Sequence, residues 1–370
     1  MHCEIEFLPV GDGEKAGDAI ILRYGTPDDY KLMLIDGGHE GTGDDIVAHL
    51  RQHFGPYARL EHVVLTHSDA DHASGLRIVL RRIPVDNLWL HIPWLLAEES
   101  RHLFADKRWT PAGLEAAVKK EYNIISEIVD LATAQAAQIF YPFEGERIGP
   151  FLVCAPHRWT YNHLLPQFEK TPEPDQAAIQ AANMWLGKES LATKIFEATK
   201  AALQSWTTET WDYERLKDGG ITSASNESSV VLYGDFGNND RVLLTGDTGV
   251  NGLRWAADFI QSQGLPLQQF TFVQIPHHGS RRNVGPAVLT RLLGDKQPET
   301  APARFVAYVS APADDEKHPR RIVLNAFKRR GGTIIATQGR KKIHWGGFPK
   351  RPEYIDADPL PFFTEVEEYT

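Results

Sequence analysis

Val63-Val-Leu-Thr-His-Ser-Asp-Ala-Asp-His-Ala-Ser-Gly75 joins an apolar run of strand length to a turn that carries His67, Asp69, Asp71 and His72. Four side chains able to bind a metal fall within six residues. Carboxylates mixed with imidazoles suit Zn²⁺, Mn²⁺ or Fe²⁺, whereas Ca²⁺ takes oxygen ligands. A lone Asp in a turn is ordinarily a turn former, but this density argues for chemistry. His62, on the strand itself, reads as packing.

Three further segments share the same shape, a short apolar strand ending in a polar turn. Met33-Leu-Ile-Asp-Gly-Gly38 ends in Asp36. Val242-Leu-Leu-Thr-Gly-Asp-Thr-Gly249 ends in Asp247, and Val273-Gln-Ile-Pro-His-His-Gly-Ser280 ends in His277 and His278. Residues at strand ends can converge on one edge of an α/β sheet, where such folds place their sites. Ser74 and Ser280 read as turn residues rather than nucleophiles.

The surrounding pattern is α/β. Strand-length runs cover Ala19 to Arg23, Lys31 to Ile35, His62 to Leu65 and Asn87 to His91. They return at Ser229 to Tyr233, Val242 to Leu244, Thr271 to Ile275, Phe305 to Ser310 and Thr333 to Ala336. Helical spacing marks Asp44 to Phe54 with Asp44 as its cap, Gly249 to Gln263 and Arg320 to Arg330. From residue 96 to 225 the texture is mainly helical, as in Gly113 to Ala137 and Asp175 to Trp206, with a strand at Phe151 to Ala155. The expectation is a single layered domain over 1–370 with a helical insertion at 96–225. The 370 residues are 42 % hydrophobic, enough for a large core, and the two cysteines, Cys3 and Cys154, exclude a disulfide framework. No leader or bilayer-length apolar run is seen, so a cytoplasmic protein with no membrane partner is expected.

The order Asp36, His67-x-Asp69-x-Asp71-His72, Thr245-Gly-Asp247, Pro276-His-His-Gly279 resembles the metallo-β-lactamase superfamily. Within it the chain looks most like the hydrolase-like domain of the competence DNA-uptake protein ComEC. That domain has Asp where the superfamily's HxHxDH pattern has its second His, as at Asp69 here. Gly17-Asp18-Ala19, Asn226-Glu-Ser-Ser229 and His318-Pro319 match its other motifs. The likeness spans roughly residues 4–95 and 221–345 and leaves most of the middle unexplained.

The resemblance implies an αββα sandwich and two divalent metal ions, Zn²⁺ or Mn²⁺. One ion would take Asp71, His72 and His278, with Asp247 bridging to the second. The second would take His67, Asp69 and Asp247. The loop Ser223 to Ser229 lacks the His that usually completes this second site, so it is expected to bind more weakly. His278 is preferred as ligand over His277 because it directly precedes Gly279, which leaves His277 behind it. Asp36 would orient a ligand His through its other nitrogen. Asp71 would also orient the attacking water, and Asn226 would contact substrate or water.

Lys317 to Lys342 holds nine Lys or Arg and no Asp or Glu, in a chain of net charge −10. Arg281 and Arg282 follow the His278 turn. Such a patch is a signature of phosphate-backbone binding, although the acidic tail (Glu353, Asp356, Asp358, Glu365, Glu367, Glu368) could neutralise part of it. With the ComEC likeness this points to a phosphodiesterase or nuclease acting on DNA or RNA. Arg281, Arg282, Arg320 and Arg321 would bind substrate, and His318 would be a phosphate ligand or general acid. Two alternatives stand beside it: a metallo-hydrolase of small esters, lactones or lactams, and a non-catalytic subunit of a larger, phage-defence-like assembly. The helical insertion, with Trp185, Trp206 and Trp211, offers a surface for a protein partner, although aromatics at such spacing are more often core.

Overall fold

The computed structural model describes residues 1–13, 15–185, 205–351, 354 and 357–369. The first large sheet is built from β1 (His2–Phe7), β2 (Ile20–Gly25), β3 (Tyr30–Ile35), β4 (Leu60–Val64), β5 (Val85–Trp89), β6 (Gln138–Phe140) and β15 (Lys342–His344), in the order β15-β1-β2-β3-β4-β5-β6. The second contains β7 (Arg147–Ile148), β8 (Phe151–Ala155), β10 (Val231–Asp235), β11 (Arg241–Leu244), β12 (Phe272–Gln274), β13 (Phe305–Val309) and β14 (Gly332–Ala336), in the order β14-β13-β12-β11-β10-β8-β7. β9 (Trp206–Thr208) and β16 (Glu365–Glu367) form a separate antiparallel pair.

Strand alternation sorts the core into layers. Ile5, Phe7, Ile20, Leu22, Met33 and Ile35 meet Phe151, Val153, Leu232, Leu244 and Phe272 between the two sheets. Leu32, Leu34, Val63 and Val85 face the other way, onto the helices Glu40–Phe54, Leu76–Arg82 and Asn123–Ala134. Leu243, Val273 and Ala307 pack against the helices Val250–Ser262, Pro286–Leu293 and Arg321–Arg329. The result is the expected four-layer αββα sandwich. Among the described residues no helix is long and apolar enough to cross a membrane.

Several sequence expectations need correction. The helix after β3 starts at Glu40 rather than Asp44, and Asp44 pairs with Arg82 instead of capping it. His2-Cys-Glu-Ile-Glu-Phe7 forms β1, a strand not among the sequence expectations. Glu4 and Glu6 are buried, covered by Arg23, His49 and Arg351. Gly113 to Ala137 is two helices, Pro111–Glu121 and Asn123–Ala134, broken at Tyr122. The helix expected over Asp175 to Trp206 is Gln176–Trp185 where described. Residues 186–204 and the side chain of Trp185 lie outside the described residues. Within 96–225, β6 joins the first sheet and β7 and β8 join the second, so this stretch is woven into the sandwich as well as helical.

Candidate metal centre

In both sheets the parallel strands end at the same rim. β3 and β4 run parallel, as do β11, β12 and β13. Their C-terminal ends deliver Asp36, His67, Asp247, His278 and Ser310. The short helix Ala70–Ala73 carries Asp71 and His72. Gly75 and Gly37 let the two turns touch: a Cβ on Gly75 would lie 1.9 Å from the Gly37 carbonyl oxygen.

Ligand atoms of His67, His72 and Asp247 lie within 4.8 Å of one another, as do those of Asp71, His72 and His278. His72 Nε2 is 3.3 Å, and His278 Nε2 3.6 Å, from Asp247 Oδ2. Hydrogen bonds on the far side of each ring fix which nitrogen faces the cluster. His72 Nδ1 donates to Asp36 Oδ2 at 2.7 Å, and His278 Nδ1 donates to the Ser310 carbonyl at 3.1 Å. Thr66 Oγ1 donates to Asp36 Oδ2 at 2.7 Å and lies 3.0 Å from His67 Nδ1, so it accepts from that ring. Asp36 thus orients His72 directly and His67 through Thr66. All three Nε2 atoms are left with lone pairs turned inward.

Those atoms are the test of fit. His67 Nε2, His72 Nε2, His278 Nε2 and Asp247 Oδ1 are buried with no hydrogen-bond partner. Buried polar atoms without partners are costly, and four set in adjoining groups around His72 and Asp247 suit bound cations. Burial alone would push the Asp247 carboxyl up, but His72, His277 and His278 outweigh it and hold the group well below the usual range. Burial lowers the His277 and His278 pKa values, so both rings favour the neutral form that binds metal. For His72, burial is outweighed by Asp247 and Asp36, which raise it.

The remaining expected residues are placed as follows. Asp69 sits beside His67, Oδ2 to Nε2 3.7 Å, but its side chain is 42 % exposed, and Oδ1 accepts from Ser225 Oγ at 2.7 Å. It joins none of the tight groups found among the described residues. His277 Nδ1 is 3.3 Å from Asp247 Oδ2. Asn226 Nδ2 donates to His277 Nδ1 at 2.6 Å and to Thr222 Oγ1 at 3.1 Å, so its amide positions His277. The His318 ring lies 6.3 Å from that of His277, with Nδ1 3.3 Å from Asp315 Oδ2. Two carboxylates the sequence reading did not assign are Asp315 and Asp18. Asp18 lies in the Gly17-Asp18-Ala19 motif.

The basic run does not form one patch. Arg329 is buried against Glu209 at 3.1 Å, and Arg330 against Glu214 at 2.8 Å. Lys328 donates to the Leu360 carbonyl. Arg321 turns its guanidinium over Trp206, 4.5 Å from the ring, and away from a substrate role. Glu367 accepts from the Arg321 and Ile322 amides, while Glu353 and Asp356 lie outside the described residues. Trp211 packs on Phe362 and donates to Gln297. What remains near the centre is Arg281, Arg282 and Arg320. Burial lowers the Arg320 pKa, with Glu367 and Asp315 raising it and Arg281 and Arg282 lowering it, while Arg281 donates to the Glu368 carbonyl at 2.8 Å and lies over the Tyr369 ring. The Arg320 amide donates to the Gly279 carbonyl at 3.1 Å, directly beside His278.

Residues 13–122 match the family model described as Metallo-beta-lactamase superfamily. Asp247 and His278 lie beyond the matched residues. Among solved structures, the chain is similar to the metallo-beta-lactamase fold protein YhfI from Bacillus subtilis, with 8 % identity, 93 % of this chain and 100 % of that chain covered, and a TM-score of 0.41. It is also similar to Zn(2+)-bound PqqB from Methylobacterium extorquens, with 12 % identity, 92 % and 99 % coverage and a TM-score of 0.41. At such scores nothing those proteins bind or do transfers to this chain. No curated protein sequence matches it.

Proposed function

We propose that this protein is a metal-dependent phosphodiester hydrolase of ComEC type, with a nucleic acid as substrate. The observation that supports this reading is that Arg281 and Arg282 directly follow the turn carrying His278, and that Arg320 is tied to the same turn by its amide hydrogen bond to Gly279, beside a buried group of imidazoles and carboxylates. Guanidiniums pair with phosphate oxygens in two-pronged fashion, and a neutral ester or lactone would not need three of them.

Asp71, His72, His278 and Asp247 would hold one ion, and His67 with Asp247 and Asp69 a second, weaker one. A divalent ion there supplies Lewis acidity and acidifies water at neutral pH. The chain's own groups do the rest. Asp36 holds His72 in one tautomer. The arginines take the charge on the non-bridging phosphate oxygens. His318, which contacts Asp315, would give a proton to the leaving oxygen.

Purified protein is assayed on single- and double-stranded DNA, on RNA and on bis(p-nitrophenyl) phosphate with Mn²⁺, Zn²⁺ or Mg²⁺, beside Asp71→Ala and His278→Ala. Cleavage lost in both variants supports the reading. Turnover of a lactone or β-lactam with none of any phosphodiester would overturn it.

A further inference from the structure

We infer that Asp18 is a ligand of the same metal centre, giving its Oδ1 to the ion held beside His278. This rests on the cluster binding metal, but not on which bond is hydrolysed.

Asp18 stands just before β2, and three contacts bring it to the rim from outside the ligand turns. Gly17 packs so closely on the Ala70–Ala73 helix that a Cβ there would lie 2.3 Å from the Asp71 carbonyl oxygen. The Gly17 carbonyl accepts from Ser310 Oγ at 2.7 Å, and the Ser310 carbonyl is the one that holds His278. Asp18 Oδ2 accepts from Gln274 Nε2 at 2.8 Å. Gln274 in turn accepts from the Thr245 and Gly246 amides at the turn that presents Asp247.

Asp18 Oδ1 is therefore fixed in place. The residue is 2 % exposed, and this oxygen has no hydrogen-bond partner. Ligand atoms of Asp18, Asp247 and His278 lie within 4.8 Å of one another, and so do those of Asp18, Asp36 and His72. A carboxylate oxygen held by a network on one side and bare on the other, among inward-facing imidazoles, is built as a ligand. A structural carboxylate would have both oxygens satisfied.

The added carboxylate changes what the centre prefers. Asp18, Asp71 and Asp247 with His72 and His278 make an oxygen-rich, five-ligand set. That set suits a higher-coordinate ion such as Mn²⁺ better than the four-coordinate arrangement typical of Zn²⁺.

The test measures binding rather than turnover. Metal-stripped wild type and Asp18→Asn are titrated calorimetrically with Mn²⁺ and with Zn²⁺. Mn²⁺ affinity should fall at least about tenfold in Asp18→Asn, with a smaller loss for Zn²⁺. Asp18→Cys loaded with Co²⁺ should show a thiolate-to-cobalt charge-transfer band absent from wild type, whose Cys3 and Cys154 are buried elsewhere. Unchanged affinities together with no such band would refute the inference and leave the metal centre standing. A wild type that binds no ion would remove both. If neither variant folds, anomalous diffraction from Mn²⁺-loaded wild type decides: an ion about 2.2 Å from Asp18 Oδ1 supports ligation, and one beyond bonding reach ends it.

Discussion

Asp36 Oδ2 accepts the Nδ1 proton of His72 at 2.7 Å, and both side chains are fully buried. Through Thr66 the same carboxylate also fixes His67. Asp36→Ala should therefore weaken metal binding about 10- to 100-fold. Titration of metal-stripped protein reads this directly. Unchanged affinity would show that the His72 ring is held by packing alone.

Arg281 follows the His278 turn in the chain, and Arg320 is tied to that turn through its amide. Reversing both, Arg281→Glu with Arg320→Glu, should raise KM for a phosphodiester about tenfold or more while kcat changes little. A neutral ester, if it is turned over at all, should show no such change. An equal effect on both substrates would mean the variant has disturbed the centre itself.

His318 and Asp315 make a leaving-group prediction. A general acid matters when the departing oxygen is basic, and much less when it leaves as p-nitrophenolate. His318→Gln should lower kcat on an oligonucleotide about 100-fold and leave bis(p-nitrophenyl) phosphate hydrolysis nearly intact. Equal losses on the two substrates would assign His318 to phosphate binding.

Glu6 makes the acid-stability prediction. Burial would raise its pKa, but His49, Arg351 and Tyr354 outweigh burial and lower it to about 2 from an ordinary 4.5. A carboxyl depressed in the folded state contributes stability above its unfolded pKa and loses it as pH falls toward the folded one. Glu6→Gln should therefore cost roughly 3 kcal/mol at pH 7. The gap to wild type should narrow below pH 4.5 and close towards pH 2, as read from urea unfolding across that range. A constant gap would attribute the loss to packing.

Arg329 and Glu209 meet with both side chains fully buried. Glu209→Ala strands a guanidinium inside the protein and should cost about 3–5 kcal/mol. Denaturant midpoints measure it, and a loss below about 1 kcal/mol would place Arg329 in contact with water.

The sandwich was legible because its strands are short apolar runs punctuated by glycine and aspartate, and because the ligands sit where those runs stop. Asp36, the turn His67 to His72, Asp247 and the pair His277-His278 stand out in the sequence as polar side chains at strand ends, but their sorting into ligands and supports comes from the resemblance to the metallo-β-lactamase superfamily. Asp18 does not stand out, since one acid before a strand looks like a turn until Gln274 and Ser310, more than 250 residues away, close around it. The arginines of the helix Arg321–Arg329 misled for the converse reason. A run of like charges in sequence is silent about Glu209 and Glu214, which neutralise Arg329 and Arg330 from the far side of a long stretch of chain. Nothing local to Glu4 and Glu6 announces the cations that cover them, Arg351 above all, 345 to 347 residues along the chain.

β8 lies next to β10 in the second sheet, although it belongs to the middle of the chain. Trimming the protein to a minimal hydrolase by excising residues 96–225 would therefore strip β10 of its neighbour and leave its amides and carbonyls bare along an apolar strand. Such an edge recruits other chains. A shortened enzyme would need β7 and β8 retained, or it would be lost to aggregation before its catalysis could be measured.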